Sequence, residues 1–380
     1  MHYFDYAATT PMSEKALQAY VEAARTYYGN TQGLYDVGTD ASNAIQQCCS
    51  LFGEWLGGEP SGVTFTSTAT EANILAIIGI IAAKPSYQRN IIYSPLEHPS
   101  IHMAVERAVR LYGASATELK LNEEGIYTAS DVEQALRDDT GLVICSHVVS
   151  ELGFIEPVRE IGQLLKHTPV HFHVDAVQSF ARLPFSRDLY SFDSCTLSAH
   201  KFYGPKGVGI LWMDPAVRYT PPFKNITHQN GRRPGTVDVP GILSATTAAN
   251  ETRLRQEDTM DHVSSLYMKL REWNVTQVAY ELMDLHERQS PFIAAVTSSF
   301  MEGQHIMLEL NKKNIAVSTG TACKAGEQDP SKALMARGYG SLAARRLIRV
   351  SFSHLTTHEE LDILLHELER ISEDYAGKIN

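Results

Sequence analysis

From about residue 60 the chain alternates short β-type apolar runs with helical stretches, and few architectures accept that order. GVTFTS (Gly62–Ser67) precedes a helix through Glu71 to Ala83, and NIIYS (Asn90–Ser94) precedes another from Ser100 to Tyr112. GLVICSHV (Gly141–Val148) is followed by a helix near Val158–Lys166, and VHFHVDA, SCTLS and VGILWM (Val170–Ala176, Ser194–Ser198, Val208–Met213) complete the set. Runs of this length spaced by helices predict an α/β fold, with a mainly parallel sheet covered on both faces. In such sheets functional loops gather at the carboxyl ends of the strands.

With 380 residues, 43% of them hydrophobic, the chain can bury a large core, and its length favours two domains over one. The charged stretch Glu251–Trp273 reads as a helical connector to a second region, which ends in the amphipathic helix THEELDILLHELERISEDYAG. The 44 acidic and 33 basic side chains give a net charge of -11 with no long basic run, which argues against nucleic acid and anionic membranes as partners. The most apolar segment, Ile74–Ala83, is too short to span a bilayer. The opening MHYFDYAATTPM lacks the pattern of a secretory signal. Five irregularly spaced cysteines with no paired CxxC form neither a disulfide framework nor a zinc or other metal site, so a reduced, cytoplasmic setting is expected. The Pro/Gly-rich segment Tyr219–Thr236 is too long for an ordinary turn and is a candidate functional loop.

Four strand ends carry chemistry. In TSTATEAN (Thr66–Asn73), Ala69 and Thr70 would present backbone N–H groups and a hydroxyl at a helix N-terminus, a natural phosphate site; taken alone, the feature is an ordinary helix cap. Asp175 ends a buried-type strand, where a carboxylate needs a partner; it is either a cap or the counter-charge of a buried cation. His98 lies just past another strand, and a lone histidine there is usually structural. Lys201 follows SCTLSAH and precedes a turn set by Gly204, Pro205 and Gly207; a desolvated lysine is a nucleophile toward carbonyls. Together, a phosphate cradle, a carboxylate, an aromatic ring and a reactive amine describe a site for pyridoxal 5'-phosphate (PLP), with Lys201 as its Schiff-base residue.

FDYAATTPM, TATEAN, EHPS, VDAVQSF, SAHKFYGPKGVG, RRPGT and STGTACKAGEQDPSKAL, with LIRVSFSHLTTHEE after it, resemble the cysteine desulfurases of the NifS/IscS type, class V of the fold-type-I PLP enzymes. The likeness is collinear over essentially the whole chain. It implies a large PLP-binding domain over residues 15–255 and a smaller α+β domain built from 1–14 and 256–380, which carries the catalytic cysteine loop. By this resemblance Lys201 would hold the cofactor, Ser198, His200 and Thr70 would contact its phosphate, and Asp175 would pair with the ring nitrogen. Gln178 would bond the ring hydroxyl, His98 would stack over the ring, and Arg349 would bind the substrate carboxylate. Thr236, with Arg233, would reach the phosphate of a second subunit, which implies a homodimer. Cys323 would attack the sulfur of bound L-cysteine, with Lys324 beside it favouring the thiolate. The resulting persulfide would pass to an acceptor protein, for iron–sulfur cluster assembly or tRNA thiolation.

The other cysteines read as inert packed thiols: Cys145 and Cys195 inside strands, Cys48 and Cys49 on a helix. Two departures stand out. Val149-Ser150-Glu151 replaces the usual Asn-Asn-Glu run, so Ser150 can only partly replace an asparagine at the cofactor ring, and SFSH follows Arg349 where a Gly-Arg pair is frequent. A selenocysteine lyase, an ordinary class-V aminotransferase and a PLP-binding scaffold without turnover stay open from the sequence.

Overall fold

The computed structural model describes residues 1–225, 227–319 and 329–379. Strand β1 is His2–Tyr3. Seven strands follow: β2 (Val63–Thr66), β3 (Asn90–Tyr93), β4 (Ser115–Glu118), β5 (Thr140–Ser146), β6 (His171–Asp175), β7 (Ser194–Ser198) and β8 (Gly209–Met213). These seven form one sheet in the order β2-β8-β7-β6-β5-β3-β4. Neighbours run parallel except at β8, which is antiparallel to both β2 and β7. Every residue of β2 and of β5 to β8 is buried, which is why these strands read as continuous apolar runs. The edge strand β4, SATE, is mostly exposed and has no apolar run to announce it.

The first four helices are α1 (Glu14–Thr26), α2 (Asp36–Leu56), α3 (Ala69–Ala83) and α4 (Pro99–Tyr112). Helix α3 is apolar all round because it is covered all round: Leu75, Ile77, Ile78, Ile80 and Ile81 are buried in one cluster with Ile101, Ala104 and Val105 of α4 and Leu142 of β5. Each such side chain contributes roughly 1.5–3 kcal/mol on burial, so α3 is held firmly where it meets the sheet.

The stretch expected as one connecting helix, Glu251–Trp273, is two. A helix Val239–Leu254 ends at Arg255, and another, Gln256–Val275, starts there. The break has a packing reason. Ile242, Ala245, Ala248 and Ala249 belong to the core beneath the large sheet, whereas Val263, Leu266 and Leu270 belong to a second core. A change of direction at Arg255 lets one connection serve both, and the guanidinium folds back onto Glu251 at 2.5 Å.

The second core lies on a three-stranded antiparallel sheet, β12-β10-β9, made of β9 (Tyr280–Met283), β10 (Ile293–Ser298) and β12 (Leu347–Ser351). The short β11 (Ile315–Ala316) pairs in parallel with β1, and Phe4 and Ala7 are buried in this same core. The last helix, His358–Ile379, buries Leu361, Leu364, Leu365 and Leu368, the i, i+3, i+4, i+7 stripe of an amphipathic helix. Among the described residues no helix is long and apolar enough to cross a membrane.

Candidate functional site

Strands β2, β5, β6 and β7 deliver their carboxyl ends to one cavity of about 750 Å³. Ala69, Thr70, His98, Ser150, Asp175, Gln178, Ser198, His200, Lys201 and Arg349, all expected from sequence, line it. Thr236 and Arg233 do not: Thr236 is exposed, and Arg233 pairs with Glu71 at 3.0 Å. Cys323 and Lys324 lie outside the described residues.

The α3 end of the cavity is both a cap and a cradle. The Thr68 hydroxyl accepts from the Glu71 N–H at 3.1 Å, and helix geometry leaves the N–H groups of Ala69 and Thr70 without helical acceptors. The turn can sit there because β8 starts at Gly209, where a Cβ would lie 2.4 Å from the Thr68 carbonyl carbon. Ser198, the last residue of β7, and His200, two residues on, line the same cavity. Burial, and after it the nearby Lys201, pushes the His200 imidazole down to about 4.

Lys201 sits in a single 3-10 turn, Ala199–Lys201, directly after β7. Its Nζ donates to the carbonyls of Ala7 and Ala8 at 2.5 and 2.7 Å. Burial first, then the guanidiniums of Arg349 and Arg182, pushes this amine down to about 7. An amine that loses its proton near neutral pH, pointed at neutral carbonyls instead of a carboxylate, is a nucleophile held ready.

Asp175 closes β6, in register with Ser146 on β5 and Thr196 on β7, and is buried. Its Oδ1 accepts from the Val177 N–H at 3.0 Å and its Oδ2 from Asn73 Nδ2 at 2.8 Å. Gln178 is already engaged: its Nε2 donates to the Ala7 carbonyl at 2.9 Å and its Oε1 accepts from Arg182 at 2.8 Å. One amide hydrogen remains. His98 is the N-cap of α4, its Nδ1 accepting from the Ser100 N–H at 3.1 Å, which is a structural role for this histidine. Its ring opens onto the cavity, while burial disfavours its charged form against the opposing pull of Asp175. Behind it, Glu97 is buried and grips Ser146 through both the N–H and the hydroxyl, and burial pushes its carboxyl up to about 7.

Arg349, on β12, comes from the other sheet. Its Nη1 donates to the Ser150 carbonyl at 3.0 Å and its Nη2 to Asp5 at 2.8 Å; its buried Nε has no partner among the described residues. Sequence reasoning does not pick out Asp5, Asn73 or Arg182. Asn73 had a signal, as the lone asparagine inside an apolar helical run, where a buried amide must find partners.

The remaining cysteines are poor nucleophiles. Burial raises Cys48 to about 11, Cys49 to about 12 and Cys145 and Cys195 well above their ordinary value. Cys49 departs from expectation in being only half-buried.

Residues 2–364 match the family Aminotransferase class-V. The NifS protein of Bacillus subtilis (strain 168) is 35% identical over 387 residues, covering 100% of this chain and 97% of that one. The cysteine desulfurase IscS of Dictyoglomus turgidum is 31% identical over 376 residues, covering 98% and 94%. Among solved structures, a NifS-like protein superposes with a TM-score of 0.90 at 28% identity, covering 98% of this chain and 100% of that one. Motifs, fold and kinship agree, and the chain belongs to the class-V aminotransferase family, among its NifS/IscS cysteine desulfurases.

Proposed function

We propose that the cavity binds PLP, the cofactor of this family, and converts L-cysteine to L-alanine while leaving the substrate sulfur as a persulfide on Cys323. The observation that carries this is Lys201, an amine pushed down to about 7 at the end of β7, in the same cavity as the Asp175 carboxylate and the α3 N-terminus.

The residues present fit the group. Ala69, Thr70, Ser198 and His200 would take the phosphate, the N–H groups of α3 adding the positive end of the helix dipole. Asp175 would accept the ring N–H, the free hydrogen of Gln178 would meet the ring hydroxyl, and His98 would cover the ring. Ser150 offers a short hydroxyl where the family commonly has an asparagine. Bound PLP supplies an electron sink that makes the substrate's α-proton labile.

The protein does the rest. Arg349 would hold the substrate carboxylate, its Nε, without a partner among the described residues, being one available donor. Lys201, whose amine burial pushes down to about 7, would be the base, its Nζ taking the α-proton of the substrate. The Cys323 thiolate would then attack the substrate sulfur. The Cβ–S bond breaks, the sulfur stays on Cys323 as a persulfide, and the carbon skeleton, once reprotonated, leaves as alanine. A thiol or an acceptor protein takes the outer sulfur and restores Cys323; iron–sulfur cluster assembly and tRNA thiolation are the two destinations that fit.

The reading extends to a homodimer in which Thr236 and Arg233 serve the second subunit's phosphate, to a division at residues 15–255 against 1–14 with 256–380, and to a cytoplasmic setting. Transamination, selenocysteine cleavage and a scaffold role have no observation of their own here. Alanine and sulfide release from L-cysteine, measured with and without a thiol reductant, tests the proposal. Stoichiometric alanine with sulfide only when reductant is present is expected, and no alanine under either condition would overturn it.

A further inference from the structure

Behind Asp175 runs a line of buried polar side chains that the reaction above does not use. Asn73 Nδ2 donates to Asp175 Oδ2 at 2.8 Å and to Ser100 Oγ at 3.0 Å. Its Oδ1 lies 3.1 Å from His173 Nε2, and His173 Nδ1 lies 2.7 Å from Ser194 Oγ. Ser194 Oγ in turn lies 2.8 Å from His171 Nε2. Asn73, His173, Ser194 and Ser100 are each at most 1% exposed, and His171 is 4% exposed.

The protons along this line can be placed by elimination. A carboxylate only accepts, so the amide nitrogen of Asn73 faces Asp175 and its oxygen faces His173. An amide oxygen only accepts as well, so His173 carries its proton on Nε2. Burial keeps His173 and His171 neutral, which leaves His173 Nδ1 bare and makes it an acceptor for the Ser194 hydroxyl. That hydroxyl has one hydrogen, now committed, so His171 must donate to it through Nε2. Every donor therefore points the same way, from His171 to Asp175, and in a low-dielectric interior such aligned bonds polarise one another.

The second hydrogen of Asn73 starts a branch. Ser100 N–H donates to His98 Nδ1, so that nitrogen is bare, and the Ser100 hydroxyl donates to it too at 2.8 Å. The amide of Asn73 thus bonds the carboxylate of Asp175 directly, and reaches the ring of His98 only through the hydroxyl of Ser100, whose backbone N–H already holds that ring.

We propose that Asn73 is a positioning residue for the reacting centre, holding Asp175 at the end of a one-way hydrogen-bond chain that begins at His171, while the Ser100 N–H holds His98 without it. This rests on the reading that Asp175 meets the ring nitrogen of PLP. Aligned donors would keep the carboxylate oriented and available to that nitrogen, and losing them should weaken only interactions made through it.

The test titrates protein freed of cofactor with PLP and with 1-deaza-PLP, in which a C–H replaces the ring nitrogen, following the visible absorption of the bound ring. Wild-type protein is expected to hold PLP the more tightly. Asn73→Leu should raise the Kd for PLP by at least about tenfold and leave that for the deaza analogue within about twofold, the loss of one charge-assisted contact. Ser194→Ala, which frees His173 to reverse its tautomer, asks the same question if Asn73→Leu does not fold, and should show a smaller loss with the same selectivity. Equal losses for both ligands, or none for either, with the wild type discriminating, would overturn the positioning role while sparing the reading of Asp175. A wild type that binds both ligands alike would instead sink that reading, and this inference with it.

Discussion

Arg349 and Asp5, 344 positions apart, meet at 2.8 Å beside the cavity, and the same guanidinium holds the Ser150 carbonyl while its Nε is left without a partner among the described residues. The N-terminal segment thereby sets the orientation of the one planar donor that β12 contributes. Lysine cannot copy that fork. Arg349→Lys should raise the KM for L-cysteine by about tenfold or more, the worth of a bidentate contact to a charged group. Asp5→Ala should raise it less, by letting the fork turn. An unchanged KM in Arg349→Lys, from initial rates of alanine formation, would remove the arginine from substrate binding.

Lys201 should be the residue that borohydride links to the cofactor, and peptide mapping should find the pyridoxyl group there; finding it on Lys206 would contradict the assignment. Stability offers a second check. In the unfolded chain a lysine keeps its proton to about 10.4, whereas the folded protein holds this one only to about 7. Between those values the unfolded state binds more protons, so this group's contribution to stability rises with pH from about 7 to 10. Lys201→Met should therefore stabilise the cofactor-free protein at pH 7, by on the order of a few kcal/mol, and the advantage should shrink toward pH 10. Melting curves at the two pH values measure the difference.

Asp175→Asn keeps the shape and removes the charge. Turnover should nearly vanish, and cofactor retention should weaken by roughly 1.5–3 kcal/mol, the range for hydrogen bonds to charged groups. Dialysis followed by absorbance of the retained cofactor measures this, and near-normal activity would exclude the ring-nitrogen role.

The dimer reading predicts complementation. Lys201→Ala and Thr236→Ala, each inactive alone, should recover part of the activity when mixed and exchanged, because one hybrid site would hold both intact residues. Light scattering that finds only monomer at working concentration would contradict it.

Cys323→Ser should bind PLP and L-cysteine with their usual spectra yet form almost no alanine or persulfide. In wild-type protein incubated with cysteine and no reductant, mass spectrometry should place the added sulfur on the Cys323 peptide. Burial keeps Cys48 and Cys49 protonated, with values near 11 and 12, and sulfur found on either would refute the assignment.

The large sheet is legible in sequence because strands buried on both faces cannot hide their composition, and strands β2, β3 and β5 to β8 lie where their apolar runs lie. The edge strand β4 escapes for the same reason: it is exposed on both faces and so leaves no apolar signature. Lys201, Asp175 and Thr70 are legible as odd residues at strand ends. Asp5 is not, and Asn73 shows only as a polar residue in an apolar helix, since their meaning lies in partners 344 and 102 residues away, and spacing along a chain does not encode such encounters. The break at Arg255 is equally opaque, because a charged helical stretch reads the same whether it serves one core or two.

Strand β1 and the residues after it also carry a consequence for the order in which the molecule is made. His2 and Tyr3 pair with Ile315 and Ala316, the Ala7 N–H bonds to the Ser351 hydroxyl, and the carbonyls of Ala7 and Ala8 hold Lys201. This segment, made long before β12, must therefore wait for that strand to be translated. Until Ser351 is available, the segment whose carbonyls seat the lysine lacks its bond to β12 and is held from one side only, by groups such as Gln178, so the large sheet can assemble before the lysine pocket is complete. A nascent chain stalled short of β12 should thus expose an unfinished lysine pocket, and a bulky fusion at Met1 should slow the closing step more than it harms the finished fold.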